Sequence, residues 1–150
     1  MKAILQRCLD AKVEVDGNIV GSCQSGLLIL LGVAKGDTEQ DAKLLAEKIS
    51  KLRIFDDAEG RLNLSVKDVG GSVLVISNFT LLADYRKGNR PDYFGAETPD
   101  NANRLYLYFA EYMRGLGIHT ETGSFGAEMK VSLTNDGPVT IEMDSSILKK

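Results

Sequence analysis

Gly70-Gly71, followed by Ser72-Val73-Leu74-Val75-Ile76-Ser77-Asn78-Phe79-Thr80-Leu81-Leu82, is the stretch that most narrows what this chain can become. Val73 to Ile76 is an uninterrupted apolar run rich in β-branched residues, bounded upstream by paired glycines. It predicts a strand buried on both faces, near the middle of a sheet. The far end changes character, with Ser77, Asn78 and Thr80 placed around one aromatic, Phe79. Polar groups at the mouth of a buried strand need partners or a cavity, because each one left dry and unpaired costs about 1–3 kcal/mol. Two readings are open at this point: a strand end satisfied by the next loop, or one wall of an active site.

Around that strand the pattern alternates between periods of two and of three to four. Ala3 to Arg7 and Ala11 to Val15 predict strand segments, Asp16-Gly17-Asn18 a hairpin turn, and Ile19 to Cys23 the returning strand. Leu27 to Val33 predicts a fully apolar strand. Thr38 to Arg53 then carries Ala42, Leu45, Ile49 and Leu52 at helical spacing, with Thr38 as cap and Glu39 and Asp41 in the first turn. Ile54-Phe55 predicts a short strand entering an exposed turn. Thr98-Pro99 opens a second helix with Ala102, Leu105, Tyr106, Phe109, Met113 and Leu116 as its buried stripe, and Gly115 and Gly117 end it. Ile118 to Thr122, Ala127 to Thr134 and a last segment to Met143 predict further strands, with a loosely held tail from Asp144. The sum is one α+β domain over residues 1–150: a strongly curved, mostly antiparallel sheet or open β-barrel with two main helices packed to one side.

Composition excludes more than it names. No apolar run approaches the length of a membrane span, and Met1-Lys2-Ala3-Ile4 has no signal-peptide pattern, so a cytoplasmic protein with no membrane partner is expected. Cys8 and Cys23 are far from any CxxC spacing and read as small buried thiols rather than a disulfide. The net charge of −3 argues against wholesale nucleic-acid binding but leaves room for a local basic patch. Arg86, Lys87 and Arg90, close together in the Gly- and Pro-broken loop Asp84 to Pro91, are the best candidates for phosphate contacts. His119 is the only histidine, without a neighbouring Cys or His, so no metal site is expected.

The second unusual segment is Asn135-Asp136-Gly137-Pro138-Val139-Thr140. Taken with Ser77-Asn78-Phe79-Thr80-Leu81, it resembles the D-aminoacyl-tRNA deacylases, which carry a Ser-Gln-Phe-Thr-Leu motif and an Asn-x-Gly-Pro-x-Thr motif at about this separation. The likeness runs from the Ala3 to Arg7 segment through Leu52-Arg53-Ile54-Phe55 and Arg86-Lys87-Gly88 to Phe125-Gly126-Ala127, nearly the whole chain. It implies a homodimer in which the Gly137-Pro138 loop, its peptide bond cis, enters the other subunit's pocket. It implies a pocket built largely of main-chain atoms near Ser77, Phe79 and Thr80. Met129 matches a family position close to the terminal adenosine. The implied partner is the 3′-terminal aminoacyl-adenosine of tRNA, with no DNA and no cofactor.

Chemistry fits that implication. Substrate and competitor differ only in handedness at one carbon, which a hydrophobic pocket discriminates weakly. Two rigid carbonyls on the Gly-Pro segment could take hydrogen bonds from the α-ammonium, so that an L side chain strikes the loop and a D side chain points outward. Broad acceptance of D-amino acids and poor exclusion of glycine follow. The ester is labile, so orientation, an oxyanion donor and water suffice. The backbone N–H of Phe79 or Thr80 is the candidate donor, and Thr80 is a positioning residue with the 2′-OH of the adenosine assisting. Position 78 departs from the family, Asn where Gln is usual, with the amide kept and the reach shortened. Two other readings keep the same segments: a deacylase of L-amino acids mischarged on tRNA, and a dimeric RNA- or metabolite-binding module without turnover.

Overall fold

A computed structural model describes residues 1–149. In chain order it contains β1 (Lys2–Val15), β2 (Asn18–Cys23), β3 (Gly26–Gly32), α1 (Glu39–Lys51), β4 (Phe55–Asp56), β5 (Leu62–Leu64), β6 (Ser72–Ser77), a 3₁₀ turn (Phe79–Leu82), α2 (Pro99–Gly115), β7 (Thr120–Thr122), β8 (Lys130–Asp144) and a closing 3₁₀ turn (Ser145–Leu148).

The two unbroken apolar runs, β3 and β6, lie side by side and are covered on both faces. Leu27, Ile29, Leu31, Val73 and Val75 pack under the helices. Leu28, Leu74 and Ile76 face the interior of the curved sheet, together with Cys8, Ala11, Val13 and Cys23. β6 runs parallel to β3 on one side and to β7 on the other. β1 is antiparallel to β2, β3 and β8. The α+β reading holds, with a parallel half in a sheet that is otherwise antiparallel, and β4 and β5 form a separate small sheet.

The barrel is nearly closed where β2 meets β7. No ladder joins those strands among the described residues. The Ser22 N–H instead donates to Glu121 Oε1 at 3.0 Å, and a Cβ on Gly21 would stand 2.3 Å from the Thr122 carbonyl oxygen. His119 and that N–H hold the Glu121 carboxyl below the usual range.

Helix α1 begins with a full capping box between Thr38 and Asp41 and buries Ala42, Leu45, Ala46 and Ile49. In α2, Pro99 stands in the first turn and Leu105, Tyr106, Phe109, Ala110 and Met113 are buried. Thr98 holds the cap position without a side-chain cap bond, and its own N–H donates to Glu97 Oε1 at 2.8 Å. The Tyr106 hydroxyl donates to the Val75 carbonyl at 3.1 Å, which ties α2 to β6 just behind the strand's polar end.

Three expectations change. The two segments expected at residues 3–7 and 11–15 are one strand, β1, whose pairing with β8 shifts around Cys8. Such a shift lets a strand bend without losing its partner. The two strands expected on either side of Gly-Pro are likewise one, β8: Asn135 pairs with Cys8 and Thr140 with Gln6, so residues 136–139 bulge from a continuous strand. The tail is docked rather than loose. The Ser145 N–H donates to the Met1 carbonyl at 2.8 Å, and the Ser145 hydroxyl to Asp41 Oδ1 at 2.7 Å.

Asp41 makes that docking pH-dependent. Burial by itself raises its pKa, but hydrogen bonds from Lys149, the Thr38 N–H and Ser145 outweigh it and leave the carboxyl at about 2. The folded value lies below the unfolded value of about 3.9, so the stabilisation is complete above that pH and disappears as pH falls through the folded value. Asp41→Asn is therefore expected to lower stability at pH 7, with the gap to wild type narrowing towards pH 2. Urea denaturation of both proteins across that range checks it, and a gap independent of pH would contradict the assignment.

Candidate active site

The site is built where β6 ends. Asn78 donates its N–H to the Leu31 carbonyl at 2.8 Å, and its side-chain oxygen then caps the 3₁₀ turn, accepting the Thr80 N–H at 3.2 Å and the Thr80 hydroxyl. Asn is among the best cap residues because its short amide reaches the N–H two residues on. The shortened side chain at position 78 thus has a definite job. The turn rests on bare backbone: a Cβ on Gly32 would lie 2.7 Å from Leu82 Cδ2 and 3.1 Å from the Asn78 carbonyl oxygen.

This arrangement separates the two candidate donors. The Thr80 N–H is occupied by Asn78, whereas among the described residues nothing accepts the N–H of Phe79. The Thr80 hydroxyl donates to an amide oxygen, which is no base, so the local geometry does not activate it as a nucleophile.

Above the turn opens a cleft of about 740 Å³, lined by Leu30, Ile76, Phe79, Tyr93, Phe125 and Met129 among others. The Phe79 ring meets Tyr93 edge-on, with centroids 5.0 Å apart. Ser77, Asn78, Glu97 and Thr98 supply the polar part of the lining. Glu97 is its one carboxylate. Its oxygens accept from the Thr98 N–H at 2.8 Å and from Asn101 at 2.9 Å, which holds it ionised and below the usual carboxylate range. Apolar walls with a few placed polar groups are the composition of a small-ligand site.

Ser77, Asn78, Phe79 and Met129 therefore meet at one cleft, with Thr80 bonded to Asn78 beside it. Gly137 and Pro138 do not line it. They lie six and more residues along β8 from Val131 at the cleft edge, roughly 20 Å at about 3.3 Å per strand residue. Their peptide bond is cis. Asn135 and Thr140 clasp the base of the bulge: Asn135 accepts the Val139 N–H at 2.8 Å and donates to Thr140 Oγ1 at 3.0 Å. Gly137 has φ +146°, and a Cβ there would sit 2.8 Å from the Val139 nitrogen.

The residue that sequence reading missed is Arg7. Its Nε donates to the Asp136 carbonyl at 2.8 Å and its Nη1 to the Ile54 carbonyl at 3.0 Å, with Asp56 and Asp136 carboxylates nearby. The side chain is buried, on the β1 face that Ala3 and Leu5 also use. A charge at an inward position of an alternating strand was the available signal. On the loop outside the cleft, Arg86 is gripped by Asp84 through two bonds of 2.9 and 2.6 Å. Among the described residues, Lys87 and Arg90 have no ion-pair partner.

Residues 4–144 match the family described as D-Tyr-tRNA(Tyr) deacylase. The chain belongs to that family. A D-aminoacyl-tRNA deacylase of Thermus aquaticus is 53% identical over 146 residues, covering 97% of this chain and 96% of the relative. One of Bacillus cytotoxicus is 54% identical over 145 residues, covering 97% and 99%. Among solved structures, a c-Myc DNA unwinding element binding protein superposes with a TM-score of 0.90 at 37% identity, over 96% of this chain and 98% of that one. A probable eukaryotic D-amino acid tRNA deacylase, at 13% identity and a TM-score of 0.82 over 95% and 97%, shares the fold. The deacylase family is a family of hydrolases, and the chain is an enzyme of that kind.

Proposed function

We propose that this protein hydrolyses the ester bond of D-aminoacyl-tRNA in the cytoplasm, releasing the free D-amino acid and tRNA. The observation that carries the reading is the Asn78-capped turn, beside an apolar cleft, in which the Phe79 N–H has no acceptor among the described residues, in a chain of the deacylase family. The Phe79 N–H is the oxyanion donor, Thr80 and Ser77 position the ester, and the 2′-OH of the terminal adenosine assists the attack by water. Met129 lies against the adenosine. Lys87 and Arg90 contact tRNA phosphates, and Arg86 joins them only if it leaves Asp84.

Chirality is read in a homodimer. A protomer's own Gly137-Pro138 bulge stands too far from its own cleft, so the bulge serves the cleft of the partner subunit. There its carbonyls take the α-ammonium and its backbone obstructs an L side chain. D-tyrosine and other D-amino acids are accepted, and glycine, with no side chain to obstruct, is hydrolysed too. The likeness to a protein named for binding a DNA element supports a second reading, nucleic-acid binding without turnover.

Release of amino acid from D-tyrosyl-, L-tyrosyl- and glycyl-tRNA, side by side and with a metal chelator present, decides between them. Rapid loss of the D- and glycyl-esters with the L-ester spared is expected. Loss of both tyrosyl esters would discard the selection by the Gly-Pro bulge. Binding with no change in ester lifetime would replace the hydrolase by the binding module.

A further inference from the structure

Two large aromatic side chains stand in the open beside the larger cleft. Tyr85 and Phe94 are each 77% exposed, more than any other large hydrophobic side chain among the described residues. Neither joins an aromatic pair among those residues. Both belong to the segment between the 3₁₀ turn (Phe79–Leu82) and α2, so the chain that carries the Phe79 N–H runs directly into it. Asp84 and Asp92 close that segment into a loop by exchanging backbone hydrogen bonds, N–H to carbonyl, at 2.8 and 3.0 Å. The returning limb is pinned to the body. The Phe94 N–H donates to Asp92 Oδ1 at 3.2 Å, the Ala96 N–H to the Tyr93 carbonyl at 3.0 Å, and the Lys35 N–H to the Gly95 carbonyl at 2.9 Å. Tyr93 and Ala96 line the cleft, whereas Phe94 between them does not. Anchored backbone thus holds the Phe94 side chain at the rim, facing solvent.

Followed outward from the cleft, the chain presents Tyr93, then Phe94, the Asp84–Asp92 bridge, Tyr85, and finally Lys87 and Arg90. The last two are exposed and have no ion-pair partner among the described residues, while Arg86 is held by Asp84. The opposite rim, Phe125 to Val131, offers no such surface. Its aromatic, Phe125, packs inward with its ring centroid 6.0 Å from that of Tyr106, and its one cation, Lys130, is matched by Glu128. Exposed rings interleaved with free cations suit an unpaired stretch of nucleic acid, whose bases stack on the rings while its phosphates meet the cations. A duplex stem has no free base face to offer them.

Given the deacylase reading, on which this rests, we propose that the loop from Asp84 to Phe94 is the track for the unpaired nucleotides that precede the terminal adenosine of the substrate. Phe94 stacks the base next to the cleft and Tyr85 the one beyond it. Lys87 and Arg90 take phosphates further out. Every base has a stacking face, so the track adds affinity for any tRNA 3′ end without selecting its sequence. Chiral selection stays with the cleft, because the track touches no part of the amino acid.

The test measures kcat and KM on three D-tyrosyl esters: of adenosine, of the trinucleotide cytidylyl-cytidylyl-adenosine, and of tRNA. In wild type, kcat/KM is expected to rise about 100-fold from the adenosine ester to the trinucleotide ester, mainly through KM. Tyr85→Ser and Phe94→Ser should each lose about tenfold of that gain, and the double variant nearly all of it, with the adenosine ester hydrolysed as by wild type. Tyr85→Phe and Phe94→Tyr should keep the gain. On tRNA, Lys87→Ala and Arg90→Ala should each flatten the log–log dependence of KM on salt by about 0.7, which the aromatic variants leave unchanged. A gain that appears only between trinucleotide and tRNA would overturn the proposal in favour of a grip on the duplex stem. Equal losses on the adenosine and trinucleotide esters would overturn it in favour of a structural or subunit contact. In both of those cases wild type still hydrolyses the adenosine ester, so the deacylase reading stands while the track falls. No hydrolysis of any ester would overturn both.

Discussion

Replacing the Asn78–Phe79 amide by an ester, through a hydroxy acid at position 79, should lower the deacylation rate constant about 10²- to 10³-fold with the fold retained, as removal of one oxyanion donor does elsewhere. The fold should survive because among the described residues the deleted N–H has no acceptor to lose. The same exchange at Thr80 would break the cap on the 3₁₀ turn, so position 79 is where the chemistry can be probed without dismantling its support. Phe79→Leu is the control. It keeps the donor but alters the cleft wall and the edge contact with Tyr93, and should change the rate constant by less than about tenfold. Single-turnover hydrolysis of D-tyrosyl-tRNA, with circular dichroism of each variant, makes the measurement. A folded ester variant that turns over as wild type would remove the Phe79 N–H from the mechanism.

What the sequence made legible was whatever depends on near neighbours. Val73 to Ile76 and Leu27 to Leu31 declare two-sided burial by having no polar side, and the stripes of α1 and α2 follow from spacing alone. What it hid depends on a distant partner. β8 reads as two strands around a turn because Gly137-Pro138 interrupts its pattern, yet β1 supplies a ladder on both sides of the interruption and holds the pieces as one. The motifs at Ser77–Leu81 and Asn135–Thr140 were legible as resemblances before their physics was. Asn135 and Thr140 turn out to clasp a bulge, and Asn78 to cap a turn. The contact between Cys8 and Cys23 could not be read at all, since it is fixed by where β1 changes partners.

Arg7 belongs to the hidden class and carries the other large expected effect. Arg7→Ala should destabilise the fold by about 2–4 kcal/mol, because two carbonyls, Asp136 and Ile54, lose a donor in a buried setting. Stability alone would describe any buried arginine, so the informative variant is Arg7→Lys. Lysine keeps the charge, but its single ammonium lacks the planar fork that spans both carbonyls. Of the two anchors, the Asp136 carbonyl is the one that fixes the approach to Gly137, whose hypothetical Cβ would lie 3.4 Å from Arg7 Nη2. A loosened bulge would still present its carbonyls, but over a range of positions, so an L side chain would be obstructed less consistently. The expected result is a folded protein, less destabilised than Arg7→Ala, that hydrolyses D-tyrosyl-tRNA within about tenfold of wild type while losing at least about tenfold in its preference over L-tyrosyl-tRNA. That split separates positioning from scaffolding: a purely structural role would lower both rates together and leave their ratio unchanged. Measuring the ratio alongside urea denaturation of the same preparation decides it, and an unchanged ratio in folded Arg7→Lys protein would leave Arg7 as scaffold only.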